Sequence, residues 1–414
     1  MSDNVSSTEY NFKMTDCLLG GQMLFVAFGA LVLVPILTGL NPNVALFTAG
    51  LGTLIFQVIT KGKVPVFLAS SFAFIAPISY GVEAFGIPGT LCGLAAAGVV
   101  YILFSFVIKF QGVKMLHKIL PPVVTGPVIM VIGLVLAPIA VNMATGMTDT
   151  VRVVNVDCLI LSMVTLAATV IAAIFGKGVF KLVPILIGII VGYVVALCMG
   201  DIIDFAPVKA APWFAMPSFV MPEWNWNAVL YILPVAIAPA IEHFGDVLAI
   251  GSVTGKDYLE DPGVHKTMLG DGIATSVAAF LGGPPNTTYS EVTGAVTLTK
   301  AFNPAIMTWA AIFAILLAFV GKVGAILQTI PLPVMGGIMI LLFGMITAVG
   351  LNSLAKSNTD ITEPRNLVII SLVLVCGIGG MKLTAGAFTM EKIGLAGVLG
   401  LVLNLILPKT KKDV

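Results

Sequence analysis

The sequence predicts an all-α polytopic membrane protein whose fourteen transmembrane segments form two inverted repeats of seven. Of its 414 residues 58% are hydrophobic and only 10% are charged, and the mean hydropathy is +1.07, whereas soluble domains carry about 25% charged residues. Apolar runs of about 17–25 residues, the length that crosses about 30 Å of hydrocarbon, follow one another along the chain. A short motif also recurs about half a chain later, and this recurrence indicates a repeat.

Charges and turn residues divide the chain into its segments. The fourteen candidates are 17–38, 43–60, 64–80, 87–109, 121–143, 156–176, 180–200, 228–252, 266–282, 287–299, 303–321, 329–350, 366–381 and 393–408. The longest connection, 201–227, is rich in Pro and Trp, a composition typical of a segment at the membrane interface. We expect no folded domain outside the membrane.

The distribution of basic residues supports this count and sets the orientation. If the N-terminus is cytoplasmic, sixteen of the 21 Lys and Arg residues lie in inner connections and five in outer ones, which is the positive-inside bias of membrane proteins. The first sixteen residues lack the basic region and apolar core of a signal peptide. We therefore expect a multi-pass protein of the plasma membrane with both termini in the cytoplasm.

Net charge and cysteine spacing exclude other classes. A net charge of +1 argues against nucleic acid as a partner, because such binding needs clustered basic residues. The five cysteines lie far apart in apolar runs and lack metal-ligand spacing. We interpret them as membrane-embedded apolar side chains.

The repeat is visible in one motif. Pro122-Val123-Val124-Thr125-Gly126-Pro127-Val128, with Gly133 further on, matches Pro333-Val334-Met335-Gly336-Gly337-Ile338-Met339 and Gly344. Seven segments in each half are an odd number, so the halves have opposite orientations in the membrane. Inverted repeats of this kind are typical of secondary transporters.

Two segments fit a continuous helix poorly. The third has Pro65 and Pro77 at its ends and a Ser70-Ser71 pair between them, and the tenth contains Gly282-Gly283-Pro284-Pro285 followed by the acid Glu291. Both are the third segment of their half, and interrupted helices at matching positions indicate a transporter's binding site. We expect a short extended piece in each, followed by a half-helix.

The eighth segment carries three ionisable side chains, Glu242, His243 and Asp246, inside an apolar run. A carboxylate at the centre of a membrane helix costs about 2.5–3.5 kcal/mol on insertion and usually faces a bundle interior or a wet cavity. Glu242 and Asp246 are four residues apart and share a helix face, while His243 is rotated by about 100°. We therefore expect the two acids to face one site, His243 to have a packing role, and Asp271 to lie at a helix start or to hydrogen-bond between helices.

The motifs of these segments resemble the nucleobase-ascorbate transporter family. They are Gln22, Phe28-Gly29-Ala30, Leu33-Val34-Pro35, Ser70-Ser71-Phe72-Ala73-Phe74, Glu242-His243-x-Gly245, Pro285-Asn286-Thr287-Thr288-Tyr289-x-Glu291 and Glu291-x-x-Gly294-x-x-x-x-Thr299-Lys300. The run from Ile330 to Gly337 is similar to bacterial uracil permeases in particular. The resemblance covers nearly the whole chain.

The resemblance implies a core domain and a gate domain with a nucleobase bound between them. Each domain would be built from two stretches of chain, the core from 17–120 and 228–325 and the gate from 121–227 and 326–408. Cytoplasmic tails, 1–16 and 409–414, would precede and follow them. Family members commonly form homodimers, and their core domain moves by an elevator-like shift.

Site residues carry over at matching positions. Glu242 and Glu291 would hydrogen-bond the base, Phe72 would pack on its ring, and the backbones of Ala30, Tyr289 and Ser290 would line the pocket. The sequence departs from the family pattern at three positions, namely Met23, Asp246 and Val292. Asp246 matters most, because uracil permeases have a second His there, and its substrate contact and its role in proton coupling stay open.

The chemistry of the acids favours uracil and proton symport. Carboxyl groups match the N–H donors and carbonyl acceptors of a uracil-like base, whereas family members that prefer purines often carry an amide at the position of Glu291. Neighbouring buried carboxylates cannot all ionise cheaply, so Glu242 is our main candidate for the proton carrier, with Asp246 and Glu291 contributing. No cofactor is expected, and the coupling ion is H+, with Na+ at Asp246 as an alternative.

Other functions stay open as alternatives. A xanthine or purine permease, or a sodium-coupled permease of the same fold, would share these motifs. An anion transporter would need basic residues where this chain has acids, and an intramembrane enzyme using paired acids would need a water-activating signature that the sequence lacks. We therefore predict no enzymatic activity, and we expect a nucleobase, the lipid bilayer and a second copy of the chain as partners.

Overall fold

The structure is a computed structural model that describes residues 7–112, 118–148, 153–200, 202–357, 359–385 and 388–408. The helices are α1 (Cys17–Thr38), α2 (Pro42–Ile59), α3 (Ile75–Gln111), α4 (Pro122–Thr145), α5 (Val156–Phe175), α6 (Val179–Leu182), α7 (Pro184–Cys198), α8 (Ala206–Ala210), α9 (Trp226–Ile232), α10 (Ile237–Thr254), α11 (Val264–Phe280), α12 (Ser290–Thr299), α13 (Ala305–Ala318), α14 (Gly321–Gln328), α15 (Leu332–Lys356), α16 (Pro364–Ile378) and α17 (Lys392–Ile406). The strands are β1 (Leu68–Ser70), β2 (Asn286–Thr288), β3 (Lys382–Ala385) and β4 (Phe388–Glu391). The tail 409–414 and the first six residues of the tail 1–16 that the sequence predicts lie outside the described residues.

The long apolar runs form helices, as predicted. Among the described residues, seven helical stretches are long and apolar enough to cross a membrane, and four shorter apolar helices accompany them. The third and fourth predicted segments meet in α3, which is interrupted at Gly86 with φ 71° and ψ 169°, a conformation that glycine adopts readily. The prediction of a helical multi-pass membrane protein is confirmed, and the count of fourteen segments stays a prediction.

The helices pack in two groups. The first group contains α1, α2, α3 and α9 to α13, and the second contains α4, α5, α7 and α15 to α17. The groups meet where α1 contacts α7 and where α10 contacts α4 and α17. Small residues allow close approach at these contacts, since an added Cβ at Gly29 of α1 would lie 2.2 Å from Ile185 of α7.

The two interrupted segments contain the predicted extended pieces. Strands β1 and β2 pair antiparallel, with Leu68 opposite Thr288 and Ser70 opposite Asn286. A 3₁₀ turn at Phe72–Phe74 leads from β1 into α3, and α12 follows β2 directly. Each interrupted segment is therefore a short strand followed by a helix, and the two segments cross inside the first group.

One element was not predicted. Strands β3 and β4 form an antiparallel hairpin between α16 and α17 in which Lys382 pairs with Glu391 and Leu383 with Met390. From the sequence, residues 382–392 are expected to be a plain connection, because their pattern is too short to separate a hairpin from a loop. The hairpin places Glu391 at the N-terminal end of α17.

Candidate functional site

Hydroxyl side chains from neighbouring helices hold the crossing of β1 and β2 in place. The Thr53 hydroxyl of α2 accepts a hydrogen bond from the Leu68 amide at 2.9 Å, and the Thr275 hydroxyl of α11 donates to the Asn286 carbonyl at 2.9 Å. Short strands within a membrane need such partners, because unpaired backbone groups cost several kcal/mol in hydrocarbon (about 2–7). The crossing is thereby a fixed platform for the residues that follow each strand.

Both segments then begin a helix whose first amides have no side-chain cap. The 3₁₀ turn starts after Ser71, and α12 starts after Tyr289, and neither of these residues makes a capping hydrogen bond through its side chain. The first backbone N–H groups of a helix lack partners within the helix and carry a partial positive charge. The two helix starts can therefore donate hydrogen bonds to a polar ligand.

Two acids lie beside these helix starts. Glu242 on α10 and Glu291 in the first turn of α12 are both half-buried. Among the described residues, no other residue hydrogen-bonds to either carboxylate. One turn further along each helix, Gly245 and Gly294 have no heavy atom within 4 Å of an added Cβ. Both carboxylates thus border open space and are available to a ligand.

Aromatic rings pack together where the two interrupted segments begin their helices. The rings of Phe72 and Tyr289 are nearly parallel, with centroids 6.1 Å apart, and the Tyr289 hydroxyl donates to the Ser70 carbonyl at 2.7 Å. Phe343 of α15 meets Phe72 edge to face at 6.3 Å. Phe343 was not among the predicted site residues, although its neighbour Gly344 belongs to the repeated motif. Phe343 brings the second helix group to the site.

The remaining predicted lining residues lie in the same region. Ala30 is fully buried in α1, which contacts β1 and α12. Ser290 is the first residue of α12 and is exposed. The structure thus brings Glu242, Glu291, Phe72 and Tyr289 to one region, and the contact of any of them with a base stays a prediction.

Asp246 has a different environment from the two glutamates. Its Oδ2 accepts from the Thr288 hydroxyl at 2.7 Å and its Oδ1 accepts from the Ser290 hydroxyl at 2.6 Å. Such short O–H···O distances are typical of an ionised carboxylate. Asp246 therefore ties α10 to the end of β2 and the start of α12, and the Thr288-x-Ser290 spacing was the only sequence signal for this contact.

The structure places His243 and Asp271 away from the open space. Both side chains have 0% exposure, and His243 Nδ1 lies 3.0 Å from Asp271 Oδ2 of α11. His243 Nε2 lies 3.0 Å from the Thr267 hydroxyl. His243 is thus buried between helices, as expected, and its Nδ1 faces the Asp271 carboxylate across the pair α10 and α11.

The described residues contain no cluster of three or more His, Cys, Asp or Glu residues that could hold a metal ion. Oxygen atoms do lie together where the Asp246 carboxylate accepts from its two hydroxyl partners. Carboxylate and hydroxyl oxygens suit hard cations. If sodium is the coupling ion, it would bind at these oxygen atoms.

The two ends of the helices at the site differ in exposure and contacts. Exposed residues continue along one face of α10 through Ala249 to Ser252, and along α12 to Thr297, towards the end that the sequence predicts to be cytoplasmic. At the opposite end, the Tyr231 hydroxyl of α9 donates to Glu391 Oε1 at 2.9 Å. The exposed face thus runs towards one end of the helices, and this hydrogen bond joins the two helix groups at the other end.

The contact between Tyr231 and Glu391 is reinforced by charge. Lys382 Nζ lies 2.7 Å from Glu391 Oε2. Burial alone would raise the pKa of Glu391, but the hydrogen bonds from Lys382 and Tyr231 outweigh it and lower this pKa below its ordinary value. The Glu391 carboxylate is therefore ionised at neutral pH and joins the hairpin of the second group to α9 of the first.

Comparison with known families gives a match over most of the chain. The model Xan_ur_permease, described as "Permease family", matches residues 14–386. A "Probable uracil permease" of Pasteurella multocida is 58% identical, covering 95% of this chain and 94% of the relative. The "Uracil permease" of Bacillus caldolyticus is 45% identical, covering 94% and 90%. The "Uracil permease" of Escherichia coli K12 is 40% identical, covering 93% and 89%.

Solved structures with the same fold are more distant in sequence. The transmembrane domain of the cyanobacterial bicarbonate transporter BicA aligns with a TM-score of 0.64 at 15% identity, covering 95% of this chain and 97% of that chain. The murine Slc26a9 anion transporter in the inward-facing state aligns with a TM-score of 0.68 at 13% identity, covering 96% and 69%. At such identities the likeness shows the fold alone, and it confirms the predicted class of transporter fold.

Proposed function

This chain belongs to the nucleobase-ascorbate transporter family, and we propose that it imports uracil across the plasma membrane by proton symport. One observation carries the proposal. The carboxylates of Glu242 and Glu291 border open space and receive no hydrogen bond from any other described residue. The relatives named above are permeases and not enzymes, in agreement with the prediction of a transporter.

The proposed site matches the chemistry of uracil. The base offers N–H donors beside carbonyl acceptors, and ionised carboxylates accept while protonated ones also donate. Glu242 and Glu291 would bind the base edge, the uncapped amides at Tyr289 and Ser290 would donate to its carbonyls, and Phe72 would pack on its ring. The Ala30 backbone would close the pocket from α1.

Proton coupling follows from the cost of charge at this depth. Two carboxylates near each other in a low-dielectric site favour binding at least one proton. We propose Glu242 as the main proton carrier, with Glu291 and Asp246 sharing the proton. Protonation would lower the negative charge of the loaded site, and a less charged site crosses the membrane more easily than a more highly charged one.

The two helix groups are the proposed moving parts. Residues 17–120 and 228–325 would form the core domain, and residues 121–227 and 326–408 the gate domain, with an elevator-like shift of the first against the second. The protein would act as a homodimer with both termini in the cytoplasm. The phenyl contact between Phe72 and Phe343 would break and re-form during this shift.

Uptake of labelled uracil into permease-deficient cells tests the proposal. We expect uracil uptake that a protonophore abolishes and sodium removal leaves unchanged, with weaker competition by xanthine, thymine and uric acid. Glu242→Gln should abolish accumulation. Full accumulation by this variant at equal membrane abundance would disprove the role of Glu242.

Sodium coupling is the second candidate, because Asp246 and two hydroxyl oxygens lie together. Uptake that requires sodium and resists the protonophore would favour it. An anion transporter of this fold is a weaker alternative, because the open space is bordered by acids. Chloride or sulfate flux insensitive to nucleobases would favour that alternative.

A further inference from the structure

A fully buried acid and imidazole lie behind the proposed site. His243 of α10 and Asp271 of α11 both have 0% exposure, with Nδ1 and Oδ2 3.0 Å apart. The second ring nitrogen, Nε2, lies 3.0 Å from Thr267 Oγ1. Neither residue borders the open space beside Glu242 and Glu291, so neither takes part in binding the base.

Hydrogen-bond donors decide how many protons this arrangement holds. The Thr267 hydroxyl donates its one hydrogen to the Val264 carbonyl at 3.1 Å. Its oxygen must therefore accept from His243, which places a hydrogen on Nε2. A contact between Nδ1 and Oδ2 then needs a second hydrogen, which is carried either by the imidazole or by the carboxyl group.

Both placements of the second hydrogen have the same net charge. An imidazolium beside a carboxylate and a neutral imidazole beside a carboxylic acid are each neutral overall. Loss of the hydrogen would leave a net negative charge at 0% exposure, which is strongly unfavourable.

The neighbours of the couple would not offset such a charge. Among the described residues, the titratable groups that face it are Glu242 and Asp246 on the helix of His243 and the Tyr101 phenol of α3. From α2 the ring of Phe56 meets His243 edge to face at 6.4 Å. These groups are acids, a phenol and a hydrocarbon ring, so they add no positive charge.

We propose that His243 and Asp271 keep one shared proton throughout transport and form a neutral couple that positions Glu242. This inference rests on the proposed proton symport and assigns the transported proton to the site acids and not to the couple. Thr267 and Asp271 are four residues apart and lie on one face of α11, so they fix the direction of the His243 ring. Glu242 lies on the same helix as His243 and is rotated by about 100° from it. A fixed His243 ring therefore holds the rotation of α10 at which Glu242 faces the open space.

Asp271→Asn tests whether the shared proton moves. The amide N–H of asparagine can donate to Nδ1 and can thus replace the shared hydrogen without a titratable group. We expect this variant to keep accumulative uptake within about threefold of the wild type, with the same pH dependence, because its amide makes the same bond. Asp271→Leu, which is similar in size but cannot donate, is the matched control and should raise the KM for uracil at least about tenfold.

Counterflow exchange separates the outcomes. If the couple carried the transported proton, Asp271→Asn would abolish proton-driven accumulation while labelled uracil still exchanged across the membrane. That result, at normal membrane abundance, would overturn the proposal. Absence of uracil uptake by the wild type would instead refute the proposed function.

A second measurement needs no transport. The chain has only three histidines, so ¹⁵N-histidine NMR of the purified protein in nanodiscs can follow each ring, with His243→Gln used for assignment. We expect the His243 nitrogen shifts to stay constant between about pH 5 and pH 8, the range in which exposed histidines titrate. A His243 signal that titrates within this range would disprove the fixed proton.

Discussion

Removing the hydroxyl groups that bond Asp246 should weaken transport in a definite order. Thr288 is 1% exposed and its hydroxyl donates to Asp246 Oδ2, whereas Ser290 is exposed and donates to Oδ1. Hydrogen bonds to charged groups contribute about 1.5–3 kcal/mol. Water can replace the exposed Ser290 hydroxyl but not the buried Thr288 hydroxyl. Thr288→Val should therefore lose most of this hydrogen-bond energy, and Ser290→Ala should lose less of it.

The expected effect on kinetics follows from these energies. Since about 1.4 kcal/mol is a factor of ten in affinity, Thr288→Val should raise the KM for uracil by about 10- to 100-fold, and Ser290→Ala by about tenfold or less. The assay is the initial rate of labelled uracil uptake, with the amount of each variant in the membrane measured by immunoblot. Thr287→Val is the matched control, because the Thr287 hydroxyl is on the same strand, is buried and has no partner among the described residues.

A double-mutant cycle shows whether the hydroxyl acts through the acid. Residues that share a hydrogen bond give non-additive effects, so Thr288→Val combined with Asp246→Asn should be less damaging than the sum of the two single changes. Additive losses would refute the reasoning. Equal losses for Thr287→Val and Thr288→Val would refute it as well, since only one of these hydroxyls reaches Asp246.

Three further predictions concern stability and specificity. Gly98→Ala should destabilise the protein by about 1–3 kcal/mol through overpacking, because the added Cβ would lie 2.6 Å from a backbone amide of α11. Gly21→Ala is the control and should not destabilise it, because the nearest atom to that Cβ is 3.6 Å away. Thermal unfolding in detergent measures both variants. Glu391→Gln should lower thermal stability at neutral pH but not in acid. The pKa of Glu391 is lowered in the folded protein, so the ionised carboxylate stabilises the fold above the unfolded pKa of about 4.3, and this stabilisation is lost as pH falls through the folded-state pKa. A difference in unfolding temperature that persisted in acid would contradict this prediction. Glu291→Gln should shift preference from uracil towards xanthine, because purine-preferring members often carry an amide there, and competition by xanthine against labelled uracil measures the shift.

Individual residues show how far the sequence alone could lead. The position of Glu242 and Glu291 beside the interrupted segments was predictable because charges in apolar runs are costly, and β1 and β2 were predictable because prolines and glycines break a membrane helix. The bond between Tyr231 and Glu391 joins residues 160 positions apart, and no local pattern encodes such a contact. The same holds for Phe343, which reaches Phe72 only when the two helix groups pack together.

The acids of this region fall into two groups, those with a hydrogen-bonding or ion-pair partner in the protein and those without one on another residue. Asp246 receives two hydroxyl hydrogens and Asp271 faces His243, whereas Glu242 and Glu291 receive none from other described residues. A carboxylate at membrane depth without a donor is costly, and either a proton or a base N–H can supply the missing hydrogen.

The two sources of hydrogen are complementary in this site. A base bound to two ionised carboxylates would leave one carboxylate facing a base carbonyl, which is an acceptor against an acceptor. One added proton turns that glutamate into a donor for the carbonyl while the other glutamate still accepts the N–H. In the proposed mechanism, base and proton would therefore strengthen each other's binding at Glu242 and Glu291, and such mutual dependence is the thermodynamic requirement for symport.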